Sequence, residues 1–360
     1  MKINIIIPST VLGGGIRVIF TYANLLQEAG HDVVIYVPKL FKWKDIKNGR
    51  INLKTSLANT FKRRTKVDWF ECNFLIKSVI AIEDKYIRDA DIVIATAWYT
   101  AKNVAELSNF KGKKCYFIQG YEVSEDESDK KKVEATYKLG MHNITIAKWL
   151  DNIVYDVTKQ HSKIIQNGIA DNEFLQKRKI INNPKTVIML GNMAAHKGTK
   201  QGIKILEKMQ KKYNIRVIIY ASMESKEIPE SFDFYLKPSR DKLMELYSIS
   251  DICLFPSVKE GWGLIVTEAM AHKCAVVGNN TGCVNEIGVD GINMLISKDN
   301  DYNDLEKKLE KVILDTDLMI KIQNAGYETV LNMKNSLQFR KLEDYFKLLV
   351  CNNLNDSKKL

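Results

Sequence analysis

Twice in this chain a short apolar run leads through a glycine-bearing loop into a stretch whose apolar residues recur at helical spacing, first from residue 3 and again from residue 186. In the first copy, Ile-Asn-Ile-Ile-Ile-Pro at 3–8 reads as a buried strand and Gly13, Gly14 and Gly15 as the loop. Residues 17–29 then put Val18, Ile19, Tyr22, Leu25 and Leu26 on one helical face. Gly30 ends that helix, and residues 32–37 are the next strand. In the second copy, 186–190 is the strand, 191–198 the loop, and 199–213 a helix with Ile203, Leu206 and Met209 together. Strands joined through helices pair in parallel, and a parallel sheet needs cover on both faces. Strand-like runs at 91–95, 114–118, 144–147 and 163–165, then at 216–220, 232–236, 252–255 and 275–277, extend the two units. The expected fold class is α/β, with two Rossmann-like, doubly wound domains facing each other across a cleft. The expected domains are 1–168 and 169–335, with Lys-Arg-Lys-Ile-Ile-Asn-Asn-Pro at 177–184 as a linker. A long amphipathic helix at about 336–350 would pack back on the first domain, and the polar 352–360 would fray.

Composition narrows the class further. With 360 residues, 45% of them hydrophobic, and only 19 Gly and 6 Pro, the chain can bury two cores and is neither collagen-like nor disordered. The opening Met1 to Asn4 runs straight into an apolar strand-length segment, so no cleavable leader is expected. Charges interrupt every longer apolar window, so no membrane span is expected either. The six cysteines form no Cys-x-x-Cys pair, which suggests reduced, buried thiols in a cytoplasmic protein rather than a disulfide framework or a zinc site.

The formal charge of +11 bears on partners. Within 39–66 there are ten Lys or Arg against one acid, Asp45, with Phe41, Trp43 and Phe61 interleaved and Trp69 and Phe70 just beyond. Such a segment suits an anionic membrane surface or a phosphorylated, lipid-linked acceptor; an ordinary solvated lysine-rich face fits it equally. No nucleic-acid motif accompanies the charge, so no nucleic-acid partner is expected.

Two places carry chemistry. Gly13, Gly14 and Gly15, followed by Arg17, let backbone N–H groups approach an anion at a helix start, although the spacing is not Gly-x-Gly-x-x-Gly. The stronger constellation is Pro-Ser-Val-Lys-Glu-Gly-Trp-Gly-Leu-Ile-Val-Thr-Glu-Ala-Met-Ala-His at 256–272. Here Glu260 falls on a loop at the carboxyl end of a strand, and Glu268 about a turn into a helix that starts near Gly263. The helix N–H groups between them could take a diphosphate, and the two carboxylates could take sugar hydroxyls. A charged helix start with Glu268 on its wet face is the alternative.

The 256–271 stretch resembles the Glu-x7-Glu signature of retaining nucleotide-sugar glycosyltransferases of family 4, which have the two-domain GT-B fold. The resemblance runs in order along nearly the whole chain. It takes in the glycine loop with Gly30-His31-Asp32-Val33, the Asn-Gly segment at 165–174, the loop at 191–198, and Thr-Gly-Cys-Val-Asn-Glu at 281–286. It implies transfer of a hexose or deoxyhexose from a nucleoside diphosphate sugar to a hydroxyl of a surface glycan, saccharide or lipid-linked, on the inner face of the cell membrane. Position by position, Glu260 would hold the donor sugar, Glu268 the ribose, and Lys197 the leaving diphosphate. Gly191, Asn192, His196, Gly261, Trp262, Gly263, Leu264 and Ile265 would complete the donor site. Leaving-group stabilisation by a lysine and a helix start needs neither a metal nor a further cofactor. The Asp-x-Asp matches at 89–91 and 299–301 are read as coincidental, and His142, His161 and His272 lack metal-ligand spacing.

Two departures stand out. Asn192 replaces the arginine that often follows the loop glycine, with Arg240 or Arg17 as substitutes. Gln119-Gly-Tyr-Glu122 stands where many relatives have a histidine. Gln119, Glu122 and Arg240 are therefore candidate sugar or acceptor contacts, and polar strand ends bonding their own backbone are the alternative for Gln119 and Glu122. The stretches at 119–122, 134–139 and 147–150 are similar to a sub-branch that includes surface-glycan rhamnosyltransferases. A nucleotide-sugar epimerase of the same fold, or a weakly catalytic nucleotide-sugar-binding scaffold, are the competing functions.

Overall fold

The computed structural model describes residues 1–39, 67–123, 127–176 and 180–356. Most of the basic segment at 39–66 lies outside them, as does part of the linker at 177–184. The chain divides into two compact units, one formed by Met1–Gln166 with Gln338–Leu360 and the other by Asn167–Leu337.

The first unit holds a parallel sheet in the order β3-β2-β1-β4-β5-β6-β7. Its strands are β1 (Lys2–Ile6), β2 (Asp32–Pro38), β3 (Leu75–Val79), β4 (Ile92–Ala95), β5 (Lys113–Ile118), β6 (His142–Thr145) and β7 (Lys163–Ile164). β1, β4 and β5 are near-continuous apolar runs because helices cover both faces of the sheet. Helix α1 (Gly14–Glu28) follows β1 and buries Val18, Ile19, Phe20, Tyr22, Ala23 and Leu26. Then come α2 (Trp98–Ala105), α3 (Glu127–Tyr137) and α4 (Lys148–Thr158).

In the second unit the order is β10-β9-β8-β11-β12-β13, again all parallel. Its elements are β8 (Lys185–Leu190), α5 (Thr199–Lys212), β9 (Ile215–Ala221), β10 (Asp233–Leu236), α6 (Arg240–Ile249), β11 (Ile252–Phe255), α7 (Leu264–Ala271), β12 (Ala275–Asn279), α8 (Val284–Ile287), β13 (Leu295–Ser297), α9 (Tyr302–Leu314) and α10 (Thr316–Val330). Val187, Met189, Ile219, Leu254, Val277, Leu206, Leu309 and Ile322 meet in its core.

Both sheets reverse strand order beside the first strand of their unit, and in open α/β sheets ligands bind at that switch point, outside the carboxyl ends of the strands. In the second unit this is the gap between β8 and β11, whose following loops carry Lys197 and Glu260.

The last helix, α11 (Asn335–Asp356), runs through 352–356, and the rest of the expected frayed tail, 357–360, lies outside the described residues. Its first turn is tied to the Asn-Gly segment by Asn335 N donating to Ile169 O at 2.8 Å and Ser336 Oγ to Asp171 Oδ2 at 2.6 Å. Further along, Glu343 Oε1 lies 3.0 Å from His31 Nε2 at the start of β2.

Candidate active site

The loops after β8 and β11 are fastened together by backbone. Val258 N donates to His196 O at 2.9 Å. Gly198 has φ +63°, and a Cβ there would lie 2.1 Å from the Pro256 carbonyl oxygen, so only glycine fits. The same carbonyl accepts from Asn279 Nδ2 and Tyr302 Oη. Gly191 packs on Ile219, and Asn192 braces the loop: its N–H donates to Thr199 Oγ1 at 3.1 Å and its Oδ1 accepts from Ala194 N at 3.0 Å. His196 is exposed.

Closing the loops in this way brings Lys197 onto Glu260. Lys197 Nζ donates to both carboxylate oxygens, at 2.7 and 2.8 Å, with side chains 20% and 10% exposed. The fold thus joins two of the expected site residues in one ammonium–carboxylate pair.

Two residues beyond Gly261 the chain turns into α7. Gly263, the residue before the helix, has φ +88°, and a Cβ there would press on the Phe255 ring at 3.0 Å. Trp262 is buried, with no acceptor for its Nε1 among the described residues, while its carbonyl accepts from Cys283 N. Leu264 and Ile265 open the helix, and first-turn N–H groups have no intrahelical partner.

Glu268, only 4% exposed, faces the interior, which removes the wet-face alternative. Its Oε1 lies 3.0 Å from Arg240 Nη1, and its Oε2 accepts from Tyr247 Oη at 3.4 Å. Tyr247 Oη is in turn 2.7 Å from Tyr220 Oη. Burial first, then Tyr220 and Glu268, push the Tyr247 phenol well above its ordinary value, so it stays a neutral donor. Arg240 also grips Glu173, with Nε donating to Oε1 at 2.6 Å and Nη2 to Oε2. The guanidinium is thus held by two carboxylates in this structure, where the sequence had offered it as a sugar, acceptor or phosphate contact. Glu173, Tyr247 and Tyr220 escaped the sequence reading, and only the position of Glu173 in the quoted Asn-Gly segment hinted at it.

In the first unit, α1 starts at Gly14 directly after Gly13, and Arg17 N donates to Gly13 O at 2.9 Å. Gln119, at the end of β5, lies against Gly15: a Cβ there would be 3.4 Å from its amide. Glu122 Oε2 accepts from Trp98 N at 2.8 Å and Tyr116 Oη at 3.3 Å. Three of the four acids of the two Asp-x-Asp matches have structural duties: Asp89 pairs with Lys111, Asp91 accepts from Lys2 N, and Asp301 caps α9.

Residues 171–329 match the family model described as "Glycosyl transferases group 1". Over 181 residues the chain is 25% identical to the capsular polysaccharide biosynthesis glycosyltransferase CapM of Staphylococcus aureus, covering 46% of this chain and 47% of that one. It is 27% identical over 183 residues to the N,N'-diacetylbacillosaminyl-diphospho-undecaprenol alpha-1,3-N-acetylgalactosaminyltransferase of Campylobacter jejuni, covering 49% and 48%. The chain thus spans about half the length of these curated relatives. Solved structures align over almost all of it. Sucrose-phosphate synthase of Thermosynechococcus elongatus has TM-score 0.72 at 14% identity, covering 97% of this chain and 99% of that one. Anabaena Alr3699/HepE in complex with UDP-glucose has TM-score 0.71 at 12% identity, covering 99% and 100%. These likenesses establish the fold: two parallel-sheet, Rossmann-like units of the GT-B kind.

Proposed function

We propose that this chain is a retaining, metal-independent glycosyltransferase that moves a hexose or deoxyhexose from a nucleoside diphosphate sugar to a hydroxyl of a surface saccharide. The observation that carries the reading is the pairing of Lys197 with Glu260 at one end of the α7 start, with the buried Glu268 one turn inside it. The matched family and the polysaccharide-building relatives support it. A lipid-linked acceptor is supported by the diphospho-undecaprenol in the Campylobacter relative's name. The basic, aromatic sequence at 39–66 would be the contact with a membrane-borne acceptor; no helix among the described residues is long and apolar enough to cross a membrane.

The chemistry follows from the groups in place. Glu268, held by Arg240 and Tyr247, is the carboxylate that would accept from the ribose hydroxyls. An ammonium has three protons; Glu260 engages two on Lys197, and the third is available to the diphosphate. The N–H groups at Leu264 and Ile265 add the partial positive charge of a helix start. As the bond from sugar to diphosphate lengthens, charge grows on the phosphate oxygen, and fixed donors aimed there lower the barrier. Glu260 steadies the positive sugar carbon. The acceptor hydroxyl attacks on the same face, and its proton passes to the departing phosphate oxygen.

The test is a panel of nucleoside diphosphate sugars with membrane extract, reading product anomer by NMR. Transfer with retention is expected. Glu268→Ala should weaken donor binding, and Glu260→Ala should lower kcat more than it raises KM. Parental activity in both variants would sink the assignment.

A further inference from the structure

The loop that carries Glu260 is pinned at both ends by β12 and the segment that follows it. At the near end, the buried Pro256 places its carbonyl just past the end of β11, where side chains must supply the donors. Asn279, the last residue of β12 and completely buried, donates to it through Nδ2 at 2.9 Å. Tyr302, which opens α9, donates to the same oxygen through Oη at 3.2 Å. The other end of the Asn279 amide, Oδ1, accepts from Ser297 Oγ, its register partner at the end of β13, so the amide turns its NH2 to Pro256. At the far end of the loop, a Cβ on Gly282 would lie 2.3 Å from the Trp262 carbonyl oxygen and 2.8 Å from Glu260 Cβ, and Cys283 N donates to that carbonyl. The Pro256 oxygen also bears on the loop of Lys197. A Cβ on Gly198, the next residue, would lie 2.1 Å from it and 2.6 Å from Tyr302 Oη.

We propose that Asn279 is a positioning residue for sugar transfer: locked by Ser297, its amide holds the Pro256 carbonyl and thereby aims Glu260 at the donor sugar, with Tyr302 as the second hold on the same oxygen. This rests on the glycosyltransferase reading. Asn279 is fully buried, so it acts on the sugar only through the loop. Its effect falls on kcat, because a displacement of about 1 Å at a group acting on the reacting centre can cost on the order of a hundredfold. Binding of the free nucleoside diphosphate, which lacks the sugar that Glu260 would hold, stays near the parental value.

The experiment measures kcat, donor KM and nucleoside diphosphate affinity on the full chain in a mutant cycle. Asn279→Ala should lower kcat by about tenfold or more and shift nucleoside diphosphate affinity by less than about twofold. In the Glu260→Ala background the same substitution should change kcat by less than about twofold, since the group it aims is gone. Val277→Ala, earlier on β12, opens space in the core and lowers stability, yet should keep the parental kcat. Tyr302→Phe removes the other donor to Pro256 O and should lower kcat about threefold by the same route, which decides the matter if Asn279→Ala does not fold. Parental kcat in Asn279→Ala, or in Tyr302→Phe where Asn279→Ala does not fold, overturns the assignment. So does a loss that multiplies with that of Glu260→Ala, or an equal loss in Val277→Ala, and each of these leaves the donor reading standing. A parent that transfers from no donor to any acceptor overturns that reading as well.

Discussion

Removing the cation between Glu173 and Glu268 tests how the proposed donor site is held together. Arg240→Met keeps the apolar stem and deletes the guanidinium, leaving Glu268 charged with a side chain only 5% exposed and Glu173 with one 15% exposed. Stranding one partner of a fully buried pair costs about 3–5 kcal/mol. The Arg240 side chain is 32% exposed, so water recovers part of this, and about 2–3 kcal/mol is the expected loss. For a unit of this size each kcal/mol lowers the midpoint by about 2–4 °C, so calorimetry of the full chain should show the second-unit transition about 4–12 °C lower. A double-mutant cycle isolates the cause. Glu268→Gln removes the stranded charge, so Arg240→Met combined with Glu268→Gln should be more stable than Arg240→Met alone. Donor binding should weaken in Arg240→Met, because Glu268 loses the contact that aims it. Additive effects, or a loss below about 0.5 kcal/mol, would mean that Arg240 does not hold these carboxylates.

Two further outcomes follow from local geometry. Gly263→Ala, at φ +88° and against the Phe255 ring, should cost about 1–2 kcal/mol and weaken nucleoside diphosphate binding. Gly198→Ala should cost more, because its Cβ would meet the Pro256 backbone; equal midpoints for the two variants and the parent in urea would refute both. The third outcome depends on pH. Burial opposes the Asp151 charge, but Lys148, Ser162 and His161 together hold its carboxyl below the ordinary value. A depressed folded value stabilises above the unfolded one, near about 4, and is lost as pH falls through the folded one. Urea midpoints of Asp151→Asn should therefore lie below the parent's at neutral pH and converge with them in acid. A gap that stays constant with pH would show that the charge is not what matters.

What was legible in the sequence is what is local. Glu260 and Glu268 stand eight positions apart, so one must fall on the loop and the other inside the helix once a strand ends at Phe255. The repeated strand, loop and helix led to both sheets for the same reason. β3 was missed because Lys77 and Ser78 break its apolar run, which an edge strand tolerates, two of its five residues being exposed. β13 was missed because three residues carry no period. The pairing of Glu268 could not be read, because Arg240 and Tyr247 reach it only through contacts that folding creates, and Glu173 joins them only by sharing Arg240. Asn192 shows the limit most plainly. By sequence it is a lost arginine, a deficit of charge. In the fold it shapes the loop, accepting from Ala194 N and donating to Thr199, so that Lys197 is delivered to Glu260. The loop therefore keeps its geometry while its cationic charge rests on Lys197 and the α7 start. On the proposed chemistry, a leaving diphosphate would depend heavily on that one ammonium.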